Sequence, residues 1–252
     1  MDSIISPAKE EAASLNIALI GYGKMGKAIE EVAIKKGHTV LLKIDINSIE
    51  EFTKENLQRC DVAIEFTSPH SAVQNIITCL EAGIPVVSGS TGWLDSWSDV
   101  KQICDANNGS LVYASNYSVG VNLFFEINKM LARLMNAQTD YDVTMVEIHH
   151  TEKKDAPSGT AITLAKQVIE NLERKKQWVN HTSLLPEEVT VISERVDPAP
   201  GTHKVRYSSS VDDIEIIHTA HNRKGFATGA ILAAEFIKGK RGIFSMKEVL
   251  GL

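Results

Sequence analysis

The fold of this chain is indicated first by residues 16–26, which read NIALIGYGKMG. A short apolar run leads into the spacing Gly21-x-Gly23-x-x-Gly26, and a helix-like pattern follows from Lys27. This order of strand, turn and helix is the context that a dinucleotide-binding fingerprint requires. The first two glycines permit a tight turn and close approach to a pyrophosphate, and the third lets the helix pack against the sheet. We therefore predict a dinucleotide site here.

Further coenzyme contacts are predicted where strands end, because ligands of open α/β sheets bind there. Asp45 lies 19 residues after Gly26, where a carboxylate accepts hydrogen bonds from ribose hydroxyls, and the alternative is a carboxylate that caps a turn. Lys43 lies on the same strand face and would instead attract a 2′-phosphate. Small polar loops follow three later strands, although such loops also read as ordinary turns. The predicted coenzyme-binding residues are Gly21, Tyr22, Gly23, Lys24, Met25, Gly26, Asp45, Phe66, Thr67, Gly89, Ser90, Thr91, Ala114, Ser115, Asn116 and Tyr117.

Strand and helix patterns alternate through the first half of the chain. Strands are predicted at residues 16–20, 38–45, 61–66, 85–90 and 111–115, and helices at residues 27–36, 69–82 and 95–107. Strands alternating with helices of about a dozen residues indicate a parallel, doubly wound sheet.

The rhythm changes in the second half of the chain. Helices are predicted at residues 121–136, 160–175, 226–237 and 245–250, and strands at residues 142–148, 188–195, 202–210 and 213–220. The last three strands read as an antiparallel meander, and basic residues 174–176 suit the negative end of a helix dipole. The predicted class is α/β: a Rossmann-type parallel-sheet domain plus an α+β domain with a mixed or antiparallel sheet. We predict an extension at 1–15, a dinucleotide-binding domain at 16–119, and a substrate-binding and oligomerisation domain at 120–252.

Bulk properties exclude several classes of protein. The chain has 252 residues and a formal net charge of -6, which argues against general binding to nucleic acids or anionic membranes. No apolar run is long enough to span a bilayer, and residues 1–15 lack the apolar core of a secretory signal. Cys60, Cys79 and Cys104 form no CxxC pair, so we expect buried, reduced thiols and a cytoplasmic protein.

Most of the candidate chemistry lies in residues 147–160, EIHHTEKKDAPSGT. His149 and His150 are suited to proton transfer at neutral pH. They lie beside Lys153 and a second lysine, so the cationic groups would repel one another without a negative charge to balance them. A dicarboxylate substrate can supply that negative charge. Such a substrate would meet Lys153 at one end and the helix-starting amides of Gly159 and Thr160 at the other. The alternative is a solvated basic loop before a capped helix.

Other histidines and a metal site are given less weight. The lysines beside His149 and His150 disfavour a cation, so we predict no metal. The remaining histidines, including His203, are expected to be structural or surface groups.

The whole pattern resembles the dihydrodipicolinate reductase family of lysine biosynthesis through diaminopimelate. The His-His-x-x-Lys-x-Asp-Ala-Pro-Ser-Gly-Thr segment is highly specific for this resemblance, and residues 61–69, 89–92, 114–122 and 223–234 follow in the expected order. The resemblance implies reduction of 4-hydroxy-tetrahydrodipicolinate with NADH or NADPH, in a homotetramer whose final helix returns to the first domain. It also implies that His149 protonates the substrate, that Lys153 binds and polarises it, and that His150, Gly159 and Thr160 hold its carboxylates.

Two departures from the family concern the coenzyme. Ser68 stands where many relatives carry arginine, and the glycine loop is the six-residue form. We expect NADH to be slightly favoured, with NADPH also accepted. The alternatives are another two-domain Rossmann oxidoreductase, such as a sugar or amino-acid dehydrogenase, and a non-catalytic dinucleotide-sensing regulator. No basic recognition helix supports the regulator.

Overall fold

The computed structural model describes residues 13–252, which form two compact units. The first unit contains the described residues up to Ser115 together with Ala230–Ser245. The second unit contains Asn116–Gly229 and Met246–Leu252. Most of the predicted extension at residues 1–15 lies outside the described residues.

The first unit is a six-stranded parallel sheet with helices between its strands. Its strands are β1 (Asn16–Ile20), β2 (Thr39–Ile44), β3 (Val62–Glu65), β4 (Val86–Ser88), β5 (Ser110–Tyr113) and, late in the chain, β11 (Gly242–Phe244). Its helices are α1 (Lys24–Lys35), α2 (Lys54–Leu57), α3 (Pro69–Glu81) and α4 (Trp97–Ala106). The strand order is β11-β5-β4-β3-β1-β2, with parallel pairing throughout.

This order confirms the predicted Rossmann-type sheet. β3 and β4 are buried at every position, as expected for parallel strands covered on both faces. Residues of these strands pack with side chains from α3 and α4 into one apolar core. The strand order reverses between β1 and β3, and open α/β sheets bind ligands at the carboxyl ends of strands beside such a reversal.

The second unit is built on a five-stranded mixed sheet. Its strands are β6 (Asp142–His149), β7 (Gln177–Val179), β8 (Glu188–Arg195), β9 (Thr202–Ser208) and β10 (Asp213–Thr219), and their order is β10-β9-β6-β8-β7. Its helices are α5 (Val119–Met135), α6 (Gly159–Asn171) and α8 (Met246–Leu250), while α7 (Lys224–Ile237) begins in this unit and ends in the first. The mixed sheet confirms the predicted α+β character.

The central strand β6 has alternating burial that positions the site. Val143, Met145, Glu147 and His149 are buried, and the residues between them are more exposed. Val143 and Met145 pack in an apolar core with residues of α5 and α6. Because side chains alternate along a strand, Glu147 and His149 continue this buried face to the carboxyl end of β6.

Two expectations about local structure were wrong, and two short strands were missed. β8 and β9 are not neighbours, because β6 lies between them and pairs parallel with β8 and antiparallel with β9. The helix predicted at 160–175 ends at Asn171, so the basic residues that follow do not extend its last turn. Instead, Arg174 donates to the carbonyls of Met135 and Tyr141. The short strands β7 and β11 were not predicted.

Two other sequence expectations have a direct structural counterpart. All three cysteines lie within residues 13–252, and each is buried and unpaired, as predicted. Among the same residues, no helix has the length and apolar character needed to cross a bilayer.

Candidate active site

The turn between β1 and α1 has the shape that the glycine spacing predicted. Gly21 has φ +94°, and a Cβ there would lie 2.0 Å from the carbonyl oxygen of Phe66. A Cβ on Gly26 would lie 2.4 Å from the carbonyl oxygen of Gly21. Gly23 is exposed, and a Cβ there would meet none of the described atoms within 4 Å. The first and third glycines therefore serve packing, whereas the second leaves open space beside the backbone.

The amino-terminal end of α1 fits a pyrophosphate. Gly23 is the N-cap residue, and no side chain of the described residues caps this end of the helix. The first-turn amides of Lys24, Met25 and Gly26 therefore retain hydrogen-bonding capacity, next to the positive end of the helix dipole. An anion at such a helix start satisfies both features.

Glu30 organises the side chains around the predicted ribose site. It accepts a hydrogen bond from the Tyr22 hydroxyl, and its carboxylate lies 2.5 Å from the Lys43 ammonium. That ammonium also lies 5.1 Å from the centre of the Tyr22 ring. Asp45 accepts a hydrogen bond of 2.7 Å from the Asn47 amide. This bond is the turn-capping role that was the alternative to ribose binding for Asp45. Since Lys43 already pairs with a carboxylate, its attraction for a 2′-phosphate is reduced.

A buried carboxylate, Glu65, joins two of the predicted coenzyme loops. It accepts hydrogen bonds from the Thr67 amide at 3.0 Å, from the Ser88 hydroxyl at 2.7 Å and from the Ser90 hydroxyl at 2.7 Å. The Thr67 hydroxyl donates to the same carboxylate. Glu65 was missed from sequence, and its signal is an acidic residue at the end of an otherwise apolar strand.

The other predicted coenzyme residues fall into two groups. A Cβ on Gly89 would lie 2.2 Å from the Phe66 ring, and Thr91 is exposed in the same loop. Ala114 and Ser115 follow β5 in the first unit. Asn116 and Tyr117 belong to the second unit, where the Asn116 amide lies 3.4 Å from the Thr160 hydroxyl and Tyr117 is buried. The structure therefore brings Phe66 and Gly89 together, whereas Asn116 lies beside a predicted substrate residue.

In the second unit, His149 lies in a buried network of polar side chains. Its Nδ1 atom is hydrogen-bonded to Oε2 of Glu147, and Oε1 of Glu147 accepts a bond of 2.9 Å from Arg195. The His203 ring packs edge-on against the His149 ring, with 5.1 Å between centroids. Glu147 and Arg195 were missed. His203 was expected to be a structural or surface group, and its contact with His149 was not anticipated.

Burial and charge set the ionisation of this network. Burial disfavours the charged form of Glu147, but hydrogen bonds from His149 and Arg195 outweigh it and lower the pKa of Glu147 to about 2. Burial, assisted by the charge of His149, lowers the pKa of His203 to about 3. At neutral pH the network therefore contains an ionised carboxylate and a neutral second imidazole.

The loop after β6 carries its own counter-charges. The Lys153 ammonium lies 2.8 Å from the Asp155 carboxylate. Asp197 accepts hydrogen bonds from the hydroxyl and amide of Thr151, and these bonds, together with the charge of His150, lower the pKa of Asp197. The expectation that the segment lacks negative charge was therefore wrong, because Glu147, Asp155 and Asp197 supply it from within the chain.

The amino-terminal end of α6 is open to an anion. The Ser158 hydroxyl caps the helix by accepting a bond of 3.2 Å from the Ala161 amide, and it lies 3.0 Å from His203 Nε2. Gly159 is exposed, and a Cβ there would meet none of the described atoms within 4 Å. The amides of Gly159 and Thr160 begin the helix, so they can donate to a carboxylate.

Glu147, His149 and His203 also have ligand atoms within 4.8 Å of one another, a spacing that can hold a metal ion. Both carboxylate oxygens of Glu147 already accept hydrogen bonds, one from a guanidinium. A cation beside Arg195 would meet electrostatic repulsion. The donor set therefore fits a hydrogen-bonded network better than a metal centre.

The two units define a class of enzyme: an oxidoreductase with a Rossmann-type unit for a nicotinamide coenzyme and a separate α+β unit. The comparisons narrow this class. Residues 15–117 match the family model described as dihydrodipicolinate reductase, N-terminus, and residues 120–250 match that described as dihydrodipicolinate reductase, C-terminus. The chain therefore belongs to the dihydrodipicolinate reductase family.

Individual relatives agree with this assignment. A 4-hydroxy-tetrahydrodipicolinate reductase of Christiangramia forsetii is 48% identical over 236 residues, covering 94% of this chain and 98% of that protein. A protein of the same name from Methanosarcina acetivorans is 35% identical over 241 residues, covering 94% of this chain and 89% of the other. The solved structure of a dipicolinate-bound dihydrodipicolinate reductase from Paenisporosarcina sp. TG-14 has a TM-score of 0.76 at 20% identity, covering 93% and 98% of the two chains, and supports the fold.

Proposed function

We propose that this chain reduces 4-hydroxy-tetrahydrodipicolinate to tetrahydrodipicolinate with NADH or NADPH, in lysine and diaminopimelate biosynthesis. The observation that carries this proposal is the family match over both halves of the chain. The curated relative that is 48% identical bears the corresponding enzyme name. Residues 16–119 would bind the dinucleotide, and residues 120–252 would bind the substrate.

The residues of the first unit fit the coenzyme. When bound, a reduced nicotinamide supplies the hydride. The uncapped start of α1 would receive the pyrophosphate, and Asp45 would accept from the ribose hydroxyls while its turn-capping bond is kept. The pairing of Lys43 with Glu30 supports a slight preference for NADH, since a 2′-phosphate would compete with Glu30 for the ammonium.

The residues of the second unit fit a dicarboxylate. One carboxylate would accept hydrogen bonds from the amides of Gly159 and Thr160 at the start of α6, and His150 would assist. Lys153 would bind and polarise the substrate after exchanging Asp155 for it, which is feasible because Asp155 is exposed. The capping bond of Ser158 fixes the helix start in place for this role.

His149 would be the proton donor of the reaction. Its ring lies at the carboxyl end of β6, and its Nδ1 atom is hydrogen-bonded to the ionised Glu147. General acids contribute about 10²–10⁴-fold to rate. Replacing His149 by glutamine should therefore lower kcat by ~10²-fold or more and leave coenzyme affinity nearly unchanged.

We also propose a cytoplasmic homotetramer. The resemblance to the family supports the tetramer, and the edge strand β10 exposes the apolar side chains of Ile214 and Ile217. Buried, unpaired cysteines support a reducing compartment. Light scattering after size exclusion measures the oligomer, and a monomer at micromolar concentration would contradict the tetramer.

Steady-state kinetics tests the proposed reaction. The substrate is generated freshly, and oxidation of NADH and of NADPH is followed by absorbance. We expect turnover with both coenzymes, and no comparable rate with simple sugars or amino acids. Coenzyme binding without any turnover would favour the dinucleotide-sensing regulator, and faster turnover of a sugar would favour another two-domain Rossmann oxidoreductase.

A further inference from the structure

Glu147 is a buried carboxylate in direct contact with His149. It is 1% exposed and lies on the same face of β6 as His149. Oε2 is hydrogen-bonded to His149 Nδ1, and Oε1 accepts from Arg195. A buried charge is costly unless it is paired and hydrogen-bonded, and both oxygens of this carboxylate meet that condition.

The ionisation of Glu147 decides which nitrogen of His149 carries hydrogen. The hydrogen bonds that hold the pKa of Glu147 at about 2 keep the group ionised at neutral pH. An ionised carboxylate can only accept hydrogen bonds, so Nδ1 of His149 must be the donor. The neutral imidazole is then the Nδ1–H tautomer, and Nε2 is the atom that gains and loses a proton.

Space is kept beside Nε2 by a glycine. A Cβ on Gly201 would lie 2.9 Å from His149 Nε2 and 3.2 Å from its Cδ2. Gly201 has φ +153°, a backbone conformation that residues other than glycine rarely adopt. The reactive nitrogen therefore lies against bare backbone, while the opposite edge of the ring is held by Glu147.

Arg195 connects this arrangement to the lysine loop. Besides Glu147, it donates to the carbonyl oxygen of Asp155 at 2.6 Å and to that of Lys153 at 3.3 Å. Arg195 is also the register partner of His149 between β6 and β8. One guanidinium therefore contacts the carboxylate that orients His149 and the backbone that carries Lys153.

We propose that Glu147, held by Arg195, is a positioning residue that presents His149 as the Nδ1–H tautomer with Nε2 directed to the substrate. The inference rests on the proposed function of His149 as proton donor. In each turnover the Nε2–H bond breaks and its proton forms a C–H bond on the substrate carbon next to the one that receives hydride. The imidazole left behind is neutral and carries hydrogen on Nδ1, and water returns a proton to Nε2.

The decisive variant is Glu147→Gln, which keeps the shape and removes the charge. Arg195 can only donate, so the glutamine oxygen turns towards it and the amide NH₂ faces Nδ1 of His149. Nδ1 then becomes an acceptor, and the neutral ring changes to the Nε2–H tautomer. We expect kcat to fall by ~10²-fold or more with the KM for coenzyme within about twofold, as for an interaction made in the chemical step.

A second variant separates positioning from packing. Glu147→Asp keeps the charge but is one methylene shorter, so a charge-dependent role predicts a smaller loss of kcat than in Glu147→Gln. A purely structural role predicts the reverse order, because glutamine preserves the volume and aspartate leaves a cavity. The control is Glu194→Gln, which removes an exposed carboxylate from β8 and should leave kcat unchanged.

Nitrogen NMR of the imidazole rings gives a readout that does not depend on turnover. The His149 signals are assigned by their loss in His149→Gln, and the neutral form should be Nδ1–H in the wild type and Nε2–H in Glu147→Gln. Unchanged tautomers would overturn the inference, and so would a Glu147→Gln enzyme with full kcat. If instead His149→Gln retains full kcat, the proton-donor assignment itself fails, whatever Glu147 does. If Glu147→Gln does not fold, the wild-type tautomer and the kcat of Glu147→Asp still decide: an Nε2–H ring in the wild type refutes the proposal.

Discussion

Between pH 7 and pH 5 the free energy of unfolding of this protein is expected to fall. Replacing His203 by asparagine should abolish a large part of that fall. His203 is 5% exposed, and burial lowers its pKa to about 3 from an ordinary value of 6.5. Between the folded pKa of about 3 and the ordinary pKa of 6.5, the unfolded chain therefore binds one proton more than the folded chain. Protonation favours unfolding, so the free energy of unfolding falls as the pH falls.

The size of the effect follows from the two pKa values. Each pH unit between them costs about 1.4 kcal/mol, so the descent from pH 6.5 to pH 5 costs about 2 kcal/mol. Glu147 does not contribute in this window: its pKa is lowered to about 2 from 4.5, so the stability it provides is present above pH 4.5 and is lost only at lower pH. The neutral asparagine has no such proton linkage.

Urea unfolding at pH 7 and pH 5, followed by circular dichroism, measures this difference. The wild type should lose about 2 kcal/mol more than His203→Asn between the two pH values. The control is His181→Asn, which removes an exposed histidine of the second unit and should leave the wild-type pH slope unchanged. Equal slopes for wild type and His203→Asn would refute the assignment of a buried, neutral imidazole.

Three further substitutions test the site. Gly201→Ala places a methyl group against His149 Nε2 and should lower kcat by ~10²-fold with little change in coenzyme affinity; wild-type kcat would show that Nε2 does not need this space. Lys153→Ala should raise the KM for substrate by about 10–100-fold, since a charge-assisted hydrogen bond is worth about 1.5–3 kcal/mol. A lower kcat with unchanged KM in the same assay would contradict a binding role. Glu65→Gln replaces the carboxylate oxygen that accepts from the Ser88 hydroxyl by an NH₂ donor and removes the charge that the other hydrogen bonds stabilise. The unfolding free energy should therefore fall by about 1–3 kcal/mol in urea titrations, and coenzyme should bind more weakly in fluorescence titrations. Unchanged coenzyme affinity would show that Glu65 does not position the two loops for the coenzyme.

The local features of the site were predictable because they depend on neighbours in the sequence. The φ of Gly21 and the cap formed by Ser158 belong to short segments whose residue types restrict the backbone. The alternation along β6 likewise puts Glu147 and His149 on one face. Their shared face could have been read from the sequence, but its importance depends on the partners that complete it.

Those partners come from strands distant in the sequence. Arg195 is on β8 and His203 is on β9, and both reach His149 only because β6 lies between these two strands. The predicted meander would have paired β8 with β9, whereas only its β9–β10 pair is present. Turn residues indicate that the chain reverses direction, but they do not determine whether a third strand pairs between the two strands that they join.

Chemical identity and local conformation were thus readable from residue order: the glycine turn, the helix starts, and the imidazole and ammonium groups that a reductase of this family needs. Which charges balance those groups was decided by folding, because Glu147, Arg195 and His203 act on His149 through contacts of a few ångströms. Electrostatic and hydrogen-bond energies depend on distance and burial, and both are properties of the folded chain.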